Sequence, residues 1–315
     1  MIEFASSGNS QAIGEVDPWA EKRRRWQQAT DSAEFPNVSE GGYISSKSKL
    51  WVDVLTAGPI KLFKDSTGIA KDLLKAGQEM VQLRKDPVFA GVGVPRGDGS
   101  PVRVLGGFIS SQTHYFDATT ALCHAKYEAK TLPWGVANVL PPFKMADYMM
   151  PVLMRDKKES GKRLKLVVHS IGGYDTFAMM LKYPEQFVDS VERVVSVGSP
   201  IPRDLNTALA FGYLVCNFFG DGEEFAMSRQ LSAIKPIVES GLVKFSSIDS
   251  SADPMVTGQH FSLDADHYII DDVSHGALGM NRHTVRAIEH IFAGEEVNTT
   301  IYPNIHHPAP VLLAA

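Results

Sequence analysis

The sequence predicts an α/β protein whose mostly parallel central sheet carries helices on both faces. Three observations lead to it. From about residue 100 onward, short apolar runs alternate with helical periodicities, the pattern of successive β-α-β units. One unit is unusually compact: Leu164-Lys-Leu-Val-Val-His-Ser-Ile-Gly-Gly173, then Tyr174 to Tyr183 with Phe177, Met180 and Leu181 on one helical face. It reads as a buried strand, a sharp turn with Ser170 at its apex, and a helix. The third observation is bulk: 315 residues, 44% of them hydrophobic, suffice for a sizeable core in one large α/β domain or two small ones.

Residues 1–45 are polar and loosely patterned, with Trp19 and Trp26 as isolated anchors and a short helix possible from Pro18 to Gln28. Residues 46–85 form a helical extension of one or two helices, parted near Gly58-Pro59 and packed outside the core. The core spans 86–296. A turn-rich approach, Pro87 to Pro101, leads into the strand Val102-Arg-Val-Leu105, which ends in Gly106-Gly-Phe108. A helix follows over Phe116–Lys126, an irregular strand over Glu128–Trp134, and a Met-striped helix over Phe143–Lys157. After the Ser170 unit come a strand over Val191–Gly198 and a mostly helical, strongly apolar stretch, 201–241. That stretch is either a cap over a site or an ordinary packing helix with a long loop. Strands then return at Leu242–Ile248 and His267–Ile270, and Asn281–Phe292 is the closing helix. The tail, 297–315, has no clear role.

Composition excludes several classes. A net charge of −5 and a single short basic run, Lys22-Arg-Arg-Arg25, argue against a general nucleic-acid binder. Cys123 and Cys216 belong to no metal-ligand pair and are expected to be buried thiols. Residues 1–15 lack the basic and apolar regions of a signal peptide, and no stretch approaches the ~18 apolar residues of a membrane span. A cytoplasmic protein is the expectation.

The chemistry centres on Ser170. A strand-turn-helix with small residues beside an apical Ser is the context of a nucleophile elbow, and the helix N-terminus aims its N–H groups where an oxyanion would form. Gly172 is expected to let the strand and helix backbones pass closely. Val168 occupies the position of the first Gly in G-x-S-x-G and is expected to shift strand packing or narrow the site. A Ser hydroxyl needs a base, and the base needs an acid. The elbow design orders them Ser, acid, His along the chain. Asp253 follows a strand and is the first candidate acid, with Asp249 its rival. His275 follows the last strand on a Gly-containing loop and is the candidate base, ahead of His260, His267 and His283. His169 is expected to face away from the Ser, because neighbouring strand residues alternate. Asp175 and Asp189 are read as helix and surface acids. For the oxyanion, the candidate donors are the backbone N–H groups of Ile171 and of Phe108, or else Ile109, in the glycine-led loop after the first core strand. Phe108, Leu209, Phe211 and Leu214 are the candidate substrate wall.

From Asp86 to Gly294 the chain resembles bacterial α/β-hydrolases of the lipase- and esterase-like group. The matching blocks are Asp86 to Gly99, Gly107-Phe108, Pro133-Trp-Gly135 with Asn138, His169 to Gly173, and Val197-Gly-Ser-Pro200. Two more lie beyond them, Ser251 to Val256 and Val273 to Asn281. Pro254 departs from the Gly that such proteins often carry after the acid. The resemblance implies the α/β-hydrolase fold, the triad Ser170, Asp253 and His275, and hydrolysis of a small-molecule or lipid-like carboxylic ester. No metal or organic cofactor is required. An acyltransferase, thioesterase, lactonase or polyester depolymerase would use the same residues, and a non-catalytic binding protein would share the fold.

Overall fold

The computed structural model describes residue 71, residues 74–199 apart from 108–109, 134–137, 139 and 141, and residues 204–205, 237, 240–253, 256–257 and 266–307. The expected segment 1–45 and most of the helical extension lie outside these residues. The end of the extension is helix α1 (residues 74–85), which buries Ala76 and Leu83 and leaves Leu74 and Val81 exposed.

Seven strands form the main sheet. These are β1 (Pro101–Leu105), β2 (Glu128–Thr131), β3 (Leu164–His169), β4 (Val191–Val197), β6 (Lys244–Ser250), β8 (Asp266–Ile270) and β9 (Ile305–His306). Their order across the sheet is β2-β1-β3-β4-β6-β8-β9. All neighbours pair in parallel except β8 with β9. Every residue of β1 and β3 is buried, as expected for parallel strands covered on both faces.

Chain direction explains which helix covers which face. The connection from β1 to β2 runs toward one edge, whereas β2 to β3 and β3 to β4 run toward the other. Right-handed crossovers then place their helices on opposite faces. Accordingly α2 (Phe116–His124) packs with α7 (Arg282–Ala293) and the 3₁₀ turn Pro87–Ala90. On the other side α3 (Pro142–Ser160) packs with α4 (Gly172–Lys182) and α5 (Pro184–Ser190). Arg103 in β1 fastens that layer: its guanidinium meets Asp156 of α3 at 2.5 Å and donates to the Glu128 carbonyl of β2. With the serine turn at the end of β3, an interior strand third in that order, this sheet is the α/β-hydrolase fold anticipated from the sequence.

Four expectations need correction. The tail is not without a role: Ile305 is fully buried, and β9 pairs antiparallel with β8, closing an otherwise bare edge. Within 201–241, Asp204–Leu205 is a two-residue strand, β5, paired antiparallel with β7 (Val256–Thr257). Long-range pairing overrides the local helical pattern there; nearly all the rest of that stretch lies outside the described residues. Cys123 is exposed in the last turn of α2, its thiol 3.4 Å from the Ala129 carbonyl. Cys216 lies outside the described residues. His275 does not sit on a loop but opens a short helix, α6 (His275–Leu278). Among the described residues, no helix is long and apolar enough to cross a membrane.

Glu289 of α7 is fully buried, and neither carboxyl oxygen has a hydrogen-bond partner among the described residues. Burial pushes its pKa up to about 9, against a small opposing pull from Arg286. The folded chain thus holds a proton that the unfolded chain releases above about 4.5. Stability from this site therefore falls as pH rises from there toward 9. Glu289→Gln, neutral at every pH, is expected to raise Tm by more at pH 8 than at pH 5 in paired thermal melts. An equal shift at both values would contradict this account.

Candidate active site

The site begins with a backbone irregularity. Ser170 follows β3 with φ at +55°, a left-handed conformation that non-glycine residues adopt only where the surroundings enforce it. Those surroundings are specific. The Ser170 N–H donates to the Val197 carbonyl of β4, and the Gly173 N–H returns to the Ser170 carbonyl, both at 3.0 Å. At Gly107, just past β1, an added Cβ would lie 2.9 Å from the Ser170 Cβ. At Gly172 it would lie 2.8 Å from the Leu105 carbonyl oxygen. The close approach that the sequence suggested at Gly172 is real, but it is to the end of β1 rather than to its own strand. Gly172→Ala forces backbone apart and is expected to lower stability by about 1–3 kcal/mol, an effect that denaturant melts read. Val168, in contrast, is an ordinary buried strand residue facing the core.

The strand ends bring the partners in. His275 Nε2 is 2.8 Å from Ser170 Oγ, and His275 Nδ1 is 2.6 Å from Asp253 Oδ2. Asp253 Oδ1 accepts the Val256 N–H at 2.9 Å. Because Val256 belongs to β7, the backbone after the acid is tied through β5 to the start of the 201–241 stretch. Gly198, at φ +52°, completes the fit: a Cβ there would lie 3.4 Å from His275 Nδ1 and 3.5 Å from Asp253 Oδ2. All three side chains are buried, which strengthens each of these contacts. With its Nδ1 proton held by the carboxylate, His275 presents the Nε2 lone pair to the Ser hydroxyl. The arrangement can draw off that proton as the oxygen attacks an electrophile.

The rival residues are engaged elsewhere. Asp249 pairs with His267 at 2.8 Å. His283 lies on α7 beside Asn304, its pKa lowered to about 4 by burial and then by Arg282 and Arg286. Asp189 is exposed and paired with Lys157. Asp175 is helical but buried, and Asn138 joins it to the Gly106 carbonyl through bonds of 2.7 and 2.9 Å. That bridge fastens the loop after β1 to the elbow helix. Ile171 is the N-cap residue of α4, next to Ser170. The other oxyanion candidates, Phe108 and Ile109, lie outside the described residues, as do Leu209, Phe211, Leu214 and His260. Among the described residues, no group of three or more His, Cys, Asp or Glu side chains could hold a metal ion.

His169 overturns the expectation of a residue turned away from the site. Its ring lies 4.9 Å from that of His275, centre to centre. Nε2 is 3.0 Å from the His275 carbonyl oxygen, and Nδ1 is 2.7 Å from the Tyr115 hydroxyl. Strand alternation fails here because Ser170 has left the strand. Burial, then the nearby rings of His275 and His114, hold the His169 pKa well below the usual imidazole value. Tyr115, fully buried, has its phenol pushed up to about 12 by desolvation. Neither His114 nor Tyr115 stood out in the sequence, since nothing in the Gln112–Tyr115 turn patterns them as site residues.

No protein-family model matches the chain, and no curated protein sequence matches it. Its fold is similar to solved structures at low identity. One is a mature-form lipase from Bacillus licheniformis, 15% identical, with 64% of this chain and 95% of that one covered at a TM-score of 0.48. Another is a monoacylglycerol lipase from Paleococcus ferrophilus, 12% identical, covering 64% and 97% at 0.45. A third is an α/β hydrolase from the metagenome of lagoon sediments at Mar Chica, Morocco. It is 16% identical, covering 63% and 92% at 0.39.

Proposed function

We propose that the protein hydrolyses carboxylic esters through an acyl-enzyme on Ser170. The observation that carries this reading is the unbroken hydrogen-bond chain from Asp253 through His275 to a Ser held at positive φ. In the first half-reaction Ser170 Oγ attacks the ester carbonyl while His275 Nε2 takes its proton. Asp253 stabilises the imidazolium, and the collapsing intermediate expels the alcohol, protonated by His275. In the second half-reaction water, deprotonated by His275, attacks the acyl-enzyme; the bond from the acyl carbon to Ser170 Oγ breaks, His275 returns the proton to that oxygen, and the free acid leaves. The backbone N–H of Ile171 and that of Phe108 or Ile109 hold the oxyanion. Residues 201–241, with Leu209, Phe211 and Leu214, supply an apolar wall for an acyl chain or an aromatic group.

The test is a panel of p-nitrophenyl and aliphatic esters with product analysis. Release of free acid, with apolar acyl groups preferred over charged ones, is the expected result. Acylated acceptor in place of acid would make the protein an acyltransferase. No turnover of any ester, thioester or lactone would remove the hydrolase reading.

A further inference from the structure

The catalytic base sits at the start of a helix of four residues. So short a helix leaves most of its carbonyls without intrahelical donors. The N–H groups that follow are directed elsewhere: Ala277 and Leu278 donate to the Ser274 carbonyl, and Met280 to that of Ala277. The carbonyls of His275 and Gly276 are instead met by imidazoles. His169 Nε2 lies 3.0 Å from the first and His114 Nε2 3.2 Å from the second.

A carbonyl oxygen only accepts, so His169 carries its proton on Nε2. Its Nδ1 is then a lone pair, and the Tyr115 O–H donates to it across 2.7 Å. The phenolic oxygen in turn accepts the Gly107 N–H at 3.0 Å. The chain has one direction throughout: Gly107 N–H to Tyr115, Tyr115 O–H to His169, His169 N–H to the backbone of His275. It runs from the loop after β1, which abuts Ser170, to the residue that deprotonates Ser170. Gly279 packs flat against it, since a Cβ there would lie 2.9 Å from the Tyr115 ring and 3.2 Å from His169 Cγ.

We infer that Tyr115 and His169 are positioning residues, a brace with a fixed tautomer that sets the distance of His275 from Ser170 and joins it to the oxyanion-side loop. This rests on the esterase reading above. His169 is suited to the task because its environment keeps it neutral, so the direction of the chain does not change over the working pH range. The His275 carbonyl selects the tautomer, and the Tyr115 O–H holds the ring in place by donating to the lone pair that this tautomer leaves on Nδ1. Without the hydroxyl, that buried lone pair loses its donor and the ring loses one of its two anchors.

Three variants test this. Gln at position 169 reproduces both polar atoms, an acceptor for Tyr115 and a donor for His275, and has no tautomers. With rates normalised to the fraction of chains that a fluorophosphonate titrates, Tyr115→Phe and His169→Leu are each expected to lower kcat about ten-fold, the kinetic equivalent of one hydrogen bond. KM should stay nearly constant. His169→Gln should stay within about two-fold of wild type, because it keeps both contacts. A merely structural role would move stability and would show no such rescue. In parallel, ¹⁵N shifts of the His169 ring should report a proton on Nε2 and a hydrogen-bonded lone pair on Nδ1 in the wild type, with the Nδ1 shift moving toward that of an unbonded lone pair in Tyr115→Phe.

Full kcat in Tyr115→Phe and His169→Leu, with Ser170→Ala inactive, would overturn the brace and leave the esterase reading standing. Equal turnover by wild type and Ser170→Ala would overturn the esterase reading and, with it, the catalytic role of the brace. A wild-type His169 protonated on Nδ1 would refute the brace whatever the activity.

Discussion

Ser170→Ala is expected to abolish ester turnover, lowering kcat by about 10⁶-fold while the fold persists. The substitution removes the attacking oxygen and little else, because Ala retains the Cβ that rests against Gly107. The backbone bonds that hold position 170 at φ +55°, from its N–H to Val197 and from Gly173 to its carbonyl, involve no side-chain atom. A thermal melt should therefore superimpose on that of the wild type, and ester binding should survive. A variant that keeps more than about one per cent of wild-type kcat would place the chemistry on another group.

Asp253→Asn is expected to cost about 10⁴-fold in kcat, for a reason written in its two hydrogen bonds. The Val256 N–H points at Oδ1, so the amide of Asn must keep its oxygen on that side. Its NH₂ then takes the place of Oδ2 and faces His275 Nδ1. Two donors cannot share that contact, so the imidazole shifts its proton to Nε2. That nitrogen now presents N–H rather than a lone pair to Ser170. The loss should fall on kcat, with the fold intact by circular dichroism. If the Asp253→Asn variant retains kcat within about ten-fold of wild type, Asp253 is not the residue that orients His275.

Much of this was legible in the sequence where the determinants are local. The β3 strand, the Ser170 turn and the α4 helix occupy one continuous stretch, and their apolar spacing and glycines encode them directly. The meeting of Asp253 and His275 beside Ser170 was readable by chain order, since each follows a strand end in the order Ser, Asp, His. What the sequence hid depends on distant partners. Tyr115 meets His169 across 54 positions, and Asn138 donates to Asp175 across 37. The β9 strand is too short to show alternation and exists because β8 offers it an edge. Alternation misplaces His169 because it holds only while the chain stays in a strand, and the left-handed turn begins at the next residue.

Covalent labelling tests whether Ser170 is an activated nucleophile. The wild-type chain, incubated with a fluorophosphonate, is predicted to gain one label per chain, mapped by peptide mass spectrometry to Ser170. Ser170→Ala should gain none, and Asp253→Asn should label far more slowly. A wild-type chain that stays unlabelled, or carries its label on another residue, would contradict the account.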